Sequence, residues 1–204
     1  MSAPSSPTST ANAEPAKIGS GVTSLPNLLS LFRIALIPVI VVLLLQPSRE
    51  RALAATFAFM IACISDFLDG YLARKHNIST TIGKFLDPLA DKLIVTALLI
   101  MLAALPRQPA VPAWLVVIVI GREVAVTGLR AVAYSRGMVL AAEELGKYKT
   151  IYQMFALTGL LMHYDFFGVD WHAGGMYFLV IATVLSVWSG IDYHVKVFRQ
   201  VRLG

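Results

Sequence analysis

Long apolar runs separated by short polar stretches follow the first two dozen residues of the chain. The runs cover residues 28–46, 52–71, 85–105, 112–134, 151–167 and 175–195. Each is near the length of about 20 residues that a helix needs to cross a bilayer. Because lipid offers the backbone no hydrogen-bond partners, each run is expected to be a helix. The pattern predicts an all-α integral membrane bundle of six transmembrane helices.

Residues 1–23 differ from the rest, because Ser, Thr, Pro, Ala and Gly predominate there without an apolar period. A segment of this kind cannot bury enough apolar surface to fold, so we expect a flexible cytoplasmic tail. Residues 24–204 then form a single membrane domain. Its beginning is expected to be an N-terminal interfacial segment, after which the chain turns into the bilayer.

The composition supports a membrane protein, with 57% hydrophobic and 14% charged residues. Soluble domains carry about a quarter charged residues. The net charge is +5, but in a membrane protein excess Lys and Arg anchor cytoplasmic loops, so we expect no nucleic-acid partner. The single cysteine, Cys63, excludes an intrachain disulfide.

The positions of Lys and Arg predict the orientation. If the N-terminus is cytoplasmic, the external loops hold only Arg49, Arg51 and Arg107, and most other basic residues lie on the cytoplasmic side. Both termini are therefore expected in the cytoplasm.

Four carboxylates interrupt the second and third runs. Asp66 and Asp69 are three residues apart and Asp87 and Asp91 four apart, so each pair shares a helix face. The short connection predicts that these two helices are antiparallel neighbours. A charge near the bilayer centre costs about 2.5 to 3.5 kcal/mol on insertion scales, so the cluster indicates a functional site. An all-oxygen ligand set suits Mg2+ or Mn2+.

Small residues lie beside these acids. Gly70 and Ala73 leave space for a phosphorylated ligand to approach the backbone, and Arg74 supplies a cation. Close helix packing explains such residues equally well when they are taken alone.

The full pattern, Asp66-x2-Asp69-Gly70-x2-Ala73-Arg74-x8-Gly83-x3-Asp87-x3-Asp91, resembles the signature of the CDP-alcohol phosphatidyltransferase family without a gap or substitution. The segments LPNLLSLFRIALIPVIVV, GREVAVTGLRAVAYSRG, LGKYKTIYQM and SGIDYHVKV are similar to its glycerophosphate-using bacterial branch.

The resemblance implies an enzyme of phospholipid biosynthesis that transfers the phosphatidyl group of CDP-diacylglycerol to sn-glycerol 3-phosphate and releases CMP. It implies a homodimer in the bacterial cytoplasmic membrane, with the active site facing the cytoplasm. Two Mg2+ or Mn2+ ions would be held by Asp66, Asp69 and Asp87. Asp91 is expected to act first as the catalytic base and second as a metal ligand. The residues expected to bind CDP-diacylglycerol are Asn27, Asp66, Asp69, Gly70, Ala73, Arg74 and Gly83.

A phosphorylated acceptor requires a second cationic site. Arg122 and Arg130 lie eight residues apart in the fourth run, and Lys147 and Lys149 precede the fifth. Together with Lys84 they suit a dianionic acceptor. Anchoring at the cytoplasmic surface is the alternative for the two later lysines. Arg122 has the alternative of pairing with Glu123, although adjacent helical residues do not face each other.

Two other functions remain open at this point. A relative with a different acceptor, such as a cardiolipin synthase or a phosphatidylinositol phosphate synthase, would share the acidic signature. A cation transporter would explain the acids, but it leaves Gly70, Ala73, Arg74 and Gly83 without a role, and the chain shows no inverted repeat.

Overall fold

The structure, a computed structural model, describes residues 25–76, 81–135 and 144–203. In these ranges the chain forms six α-helices without a sheet, so the all-α prediction is confirmed. The helices are α1 (Leu25–Leu44), α2 (Arg49–His76), α3 (Thr81–Ala104), α4 (Ala113–Ser135), α5 (Glu144–Met162) and α6 (Trp171–Leu203). The predicted tail, residues 1–23, lies outside the described residues.

Within the described residues, three segments are long and apolar enough to cross a membrane: Asn27–Leu44, Arg49–Leu68 and Trp171–Arg199. Large apolar side chains also face outward from the bundle, including Phe67 at 70% exposure and Val117 at 68%. An apolar exterior of this kind is typical of a surface covered by lipid. Helix α1 is continuous from Leu25 to Leu44, and the interfacial position of its beginning stays a prediction.

All six helices contribute to one apolar core. Its buried members include Ile40, Phe59, Leu98, Leu115, Leu157 and Leu179. The polar site described below lies towards one end of the bundle, beyond this core.

Helix α1 packs against both α2 and α3, whereas α2 and α3 share at most a marginal contact among the described residues. Direct packing of α2 against α3 is therefore limited among the described residues, and α1 is the common neighbour of both helices. Polar side chains of α1 contact the carboxylates of both helices, so α1 joins the two helices at the acidic cluster.

Helices α5 and α6 form the most extensive helix pair, and two glycines permit their close approach. A Cβ atom at Gly159 would lie 2.8 Å from Cα of Gly175, and one at Gly175 would lie 2.6 Å from the backbone nitrogen of Leu160. Neither position can hold a larger side chain unless the helices separate.

Three interhelical connections meet at the end of the bundle opposite the site. Arg49, at the start of α2, donates from Nη2 to the carbonyl oxygen of Asp165 at 2.7 Å. Arg107, which follows α3, donates from Nη2 to the carbonyl oxygen of Leu44 at 3.5 Å. Successive helices therefore alternate in direction along the bundle.

Candidate active site

The guanidinium of Arg33 connects carboxylates from two helices. Its Nη2 lies 2.9 Å from Oδ1 of Asp66 on α2, and its Nη1 donates to Oδ1 of Asp91 on α3. The Arg33 side chain is 2% exposed, whereas those of Asp66 and Asp91 are 34% and 51% exposed. The buried cation thus leaves both carboxylates accessible to a ligand.

One polar face of α1 supplies this contact. Asn27, Ser30 and Arg33 follow at intervals of three residues, and all three are buried. The hydroxyl of Ser30 donates to Oδ1 of Asp87, one turn before Asp91 on α3. Helix α1 therefore contacts three of the four predicted acids.

The other predicted site residues on α2 and α3 are only partly described. Asp69, Gly70, Ala73 and Arg74 belong to the C-terminal part of α2 and Lys84 to the first turns of α3, but their side chains lie outside the described part of the structure. Gly83 is buried at the start of α3.

The donor set of this cluster fits a hard divalent cation. Asp66, Asp87 and Asp91 all offer carboxylate oxygens, which Mg2+ prefers to nitrogen or sulfur. Among the described side chains, no group of three His, Cys, Asp or Glu residues is arranged to hold an ion. The three carboxylates are instead held by Ser30 and Arg33.

A basic cavity of about 320 Å³ opens beside the acids, between α3, α4, α5 and α6. It is lined by Lys92, Arg122, Glu123, Val126, Thr127, Arg130, Gly146, Lys147, Lys149, Thr150, Ser189 and Tyr193. The structure thus brings together four of the five residues predicted for the acceptor site. Lys84, the fifth, cannot be compared because its side chain is not described.

Glu123 is the acid of this cavity and contacts two of its cations. Its Oε2 accepts from Nζ of Lys149 and lies 3.2 Å from Nη1 of Arg122. The Arg122–Glu123 contact therefore forms although the residues are adjacent on α4, because a long arginine side chain can bring its end back to its neighbour. Lys149 is only 8% exposed, so it is not simply a surface residue that anchors the protein at the membrane.

Helix α6 fixes the other side of Arg122. The Nε of Arg122 donates to the carbonyl oxygen of Ser186 at 2.7 Å, and the Nη2 of Arg122 donates to Oγ of Ser189 at 3.1 Å. A Cβ atom at Gly190 would lie 3.2 Å from Nε of Arg122. The absence of a side chain at Gly190 thus makes room for the guanidinium.

Two further cavities lie next to the basic cavity and share lining residues with it. One, of about 220 Å³, shares Lys92, Glu123, Lys149 and Thr150 with the basic cavity and also reaches Asp91. The other, of about 80 Å³, contains Arg33, Asp66 and Asp91. A small ligand bound by the cations can therefore present a group to Asp91.

Several residues of the site were not assigned to it from the sequence. Ser30 and Arg33 follow Asn27 at intervals of three residues, which places them on one helix face. This spacing is the feature of the sequence from which their place in the site could have been predicted. Lys92 donates from Nζ to Oγ1 of Thr127 at 2.6 Å. Tyr193 lines the basic cavity, and the guanidinium of Arg130 lies 5.7 Å from the centre of its ring.

The carboxylate cluster and the adjoining basic cavity, in a helical bundle with an apolar exterior, fit a membrane enzyme that acts on phosphorylated substrates. Residues 23–188 match the sequence profile of CDP-alcohol phosphatidyltransferases, and the chain belongs to that family. Members of the family generally depend on a divalent metal ion.

Relatives that carry two different names align with most of this chain. The CDP-diacylglycerol–glycerol-3-phosphate 3-phosphatidyltransferase of Bacillus subtilis is 42% identical over 181 residues, which cover 81% of this chain and 92% of the relative. The Haemophilus influenzae protein of the same name is 37% identical over 83% of this chain and 91% of its own length. A cardiolipin synthase (CMP-forming) of Oryza sativa is 35% identical over 86% of this chain and 58% of the relative.

Proposed function

We propose that the protein transfers the phosphatidyl group of CDP-diacylglycerol to sn-glycerol 3-phosphate, which yields phosphatidylglycerophosphate and CMP. The observation that carries this function is the cavity lined by both Asp91 and the cations Lys92 and Lys149, next to the basic cavity. A dianionic acceptor suits a cavity lined by five Lys and Arg side chains and one Glu. The names of the bacterial relatives agree with this acceptor.

The donor is assigned to α1, α2 and α3. We assign its CDP moiety to Asn27, Asp66, Asp69, Gly70, Ala73, Arg74 and Gly83. Bound Mg2+ or Mn2+, held as two ions by Asp66, Asp69, Asp87 and Asp91, would neutralise the diphosphate and stabilise the leaving CMP. Arg33 holds Asp66 and Asp91 in their relative positions.

The acceptor is assigned to α4 and α5, where Arg122, Arg130, Lys147 and Lys149, together with Lys84 on α3, would bind its phosphate. Its terminal hydroxyl gives its proton to a carboxylate oxygen of Asp91. The hydroxyl oxygen forms a bond to the phosphorus that carries diacylglycerol. The bond from that phosphorus to the bridging oxygen breaks, and CMP leaves with the electron pair.

The arrangement in the membrane is part of the same proposal. We place all six helices across the bacterial cytoplasmic membrane, with both termini and the active site on the cytoplasmic side. The distribution of Lys and Arg supports this orientation. The alternating helix directions fit it, since the loops with few basic residues meet at the opposite end. A homodimer is proposed from the family resemblance.

The decisive experiment measures CMP release by the purified protein in detergent with CDP-diacylglycerol and Mg2+. The acceptors compared are sn-glycerol 3-phosphate, phosphatidylglycerol, inositol phosphate and none. We expect release only with sn-glycerol 3-phosphate, and a loss of about 100- to 10,000-fold in Asp91→Asn, because general-base catalysis contributes a factor of this size. Lys149→Met should raise KM for the acceptor, whereas Lys196→Met, outside the cavity, should not.

The same experiment tests the second candidate function. The alternative acceptor is phosphatidylglycerol. The similarity to a rice protein named cardiolipin synthase is the reason to consider it. CMP release that requires phosphatidylglycerol would replace the proposed acceptor and leave the family assignment intact.

A further inference from the structure

Gln153 on α5 is a buried polar residue that the proposed chemistry does not yet use. It is 8% exposed, and it lines both cavities that contain Asp91. Within the described part of the chain, its carboxamide has no hydrogen-bond partner. The polar atoms of its amide are nevertheless not fully buried, so the amide is open to these cavities and can bind a ligand that enters them.

The position of Gln153 relative to Lys149 matches a short acceptor. The two residues are one helical turn apart and lie on the same face of α5, about 6 Å apart along the axis. Lys149 belongs to the basic cavity, and the cavity shared by Lys149, Gln153 and Asp91 connects the two. A three-carbon alcohol bound in this cavity with its phosphate at Lys149 and its terminal hydroxyl at Asp91 would have its middle carbon within reach of Gln153.

We infer that Gln153 binds the middle hydroxyl of the acceptor and thereby determines acceptor specificity, an inference that rests on the proposed function. The amide oxygen accepts from that hydroxyl, or the amide nitrogen donates to it. An acceptor without this hydroxyl loses the hydrogen bond to the amide, and a site built for hydrogen bonding discriminates against such an analogue. Thr150, which lines all three cavities, lies within one turn on the same helix.

The test compares sn-glycerol 3-phosphate with 3-hydroxypropyl phosphate, which lacks only the middle hydroxyl, in the full-length protein. The ratio of their kcat/KM values is measured by CMP release. The wild-type protein should prefer sn-glycerol 3-phosphate by about tenfold or more, which is the effect of one neutral hydrogen bond and the amide it would otherwise leave unpaired. Gln153→Met keeps the side-chain length without the amide and should bring the ratio to within about twofold of unity.

Two further variants make the result specific. Ile151→Met changes an outward-facing residue of the same helix and should keep the wild-type ratio, since Ile151 is 49% exposed and lines none of the three cavities. Gln153→Asn withdraws the amide by one methylene and should also reduce the preference, which provides a second measurement if the Met variant fails to fold.

The outcomes separate the two claims. An unchanged ratio in Gln153→Met or Gln153→Asn overturns the role of Gln153, as does an equal loss of kcat/KM for both acceptors. Wild-type protein that releases CMP with neither acceptor, but does so with another alcohol, contradicts the proposed function itself.

Discussion

Arg33 and Asp66 form an ion pair between α1 and α2, with 2.9 Å between Nη2 and Oδ1. The same guanidinium also contacts Asp91 on α3 through its other terminal nitrogen. One planar cation thus fixes the relative positions of two carboxylates on helices that have few direct contacts in the described part of the chain. The arrangement of the acidic cluster depends on the helix that precedes both acidic helices in the chain.

Replacing Arg33 with lysine should therefore reduce catalysis while keeping the positive charge. A single ammonium group cannot span two carboxylates as the guanidinium does. We expect kcat/KM for CMP release to fall about 100-fold, the effect of a small misplacement of catalytic groups. Arg49→Lys, at the opposite end of the bundle, is the matched control and should stay within about twofold. Comparable activity in both variants would contradict the positioning role of Arg33.

The α5–α6 crossing should not tolerate a methyl group. Gly159→Ala and Gly175→Ala place a Cβ within 3 Å of the other helix's backbone, which cannot move as a flexible side chain does. Each should lower the free energy of unfolding by about 1 to 3 kcal/mol, measured by thermal or denaturant unfolding in detergent. Gly174→Ala has nothing within 4 Å of its Cβ and should be neutral or slightly stabilising. Equal stability of all three variants would mean that the helices are not in close contact there.

Gly190→Ala should affect acceptor binding more than donor binding. The added Cβ would lie 3.2 Å from Nε and 3.3 Å from Cγ of Arg122, so the guanidinium must shift away from Ser189. Because hydrogen bonds to charged groups contribute about 1.5 to 3 kcal/mol, we expect KM for sn-glycerol 3-phosphate to rise about tenfold.

The KM for CDP-diacylglycerol provides the internal control for that variant and should stay constant. Gly128→Ala on α4 provides the matched substitution, since its Cβ would meet no atom within 4 Å. A parallel rise of both KM values in Gly190→Ala would indicate a general distortion of the fold.

The connection between α5 and α6 should make stability depend on pH. Nδ1 of His163 lies 3.1 Å from Nδ1 of His172. Burial lowers the pKa of His163 below its usual value of 6.5, and the charges of His172 and Arg107 lower it further, opposed by Asp170. The unfolded chain therefore binds a proton at His163 more readily than the folded chain does. This contribution to stability is complete above about pH 6.5 and is lost as the pH falls.

Thermal unfolding between about pH 7.5 and about pH 5.5 measures this effect. His163→Asn should reduce the pH dependence, and asparagine suits the positive φ of 59° at this residue. His194→Asn is the control, because the imidazole of His194 contacts the carbonyl oxygen of Gly190 and not another histidine. An identical pH profile in His163→Asn and wild-type protein would exclude His163 as its origin.

The sequence predicted the number and kind of helices because apolar runs of this length have few other stable structures. It predicted their ends less well. Helix α5 begins at Glu144, before the apolar run at residues 151–167, because polar residues such as Lys147 and Lys149 form its first turns. It ends at Met162, since His163 takes a left-handed backbone conformation that a helix does not allow.

The spacing of charged residues predicted which of them would converge on α4 and α5, but not which residues hold them. Arg122 is bound by the backbone of Ser186 and the hydroxyl of Ser189, and neither contact leaves a pattern in the sequence of α4. The place of α1 between α2 and α3 was likewise not predictable from the short α2–α3 connection. Such contacts depend on tertiary packing, which periodicity along one helix does not specify.

The acidic cluster is built by α1, α2 and α3, whereas α4, α5 and α6 supply most of the basic cavity. The amino-terminal half of the chain can therefore keep one way of breaking a diphosphate while the carboxy-terminal half diverges to accept another alcohol. Such a division would allow members of the family to use new acceptor alcohols through changes in three helices, while the chemical step stays the same.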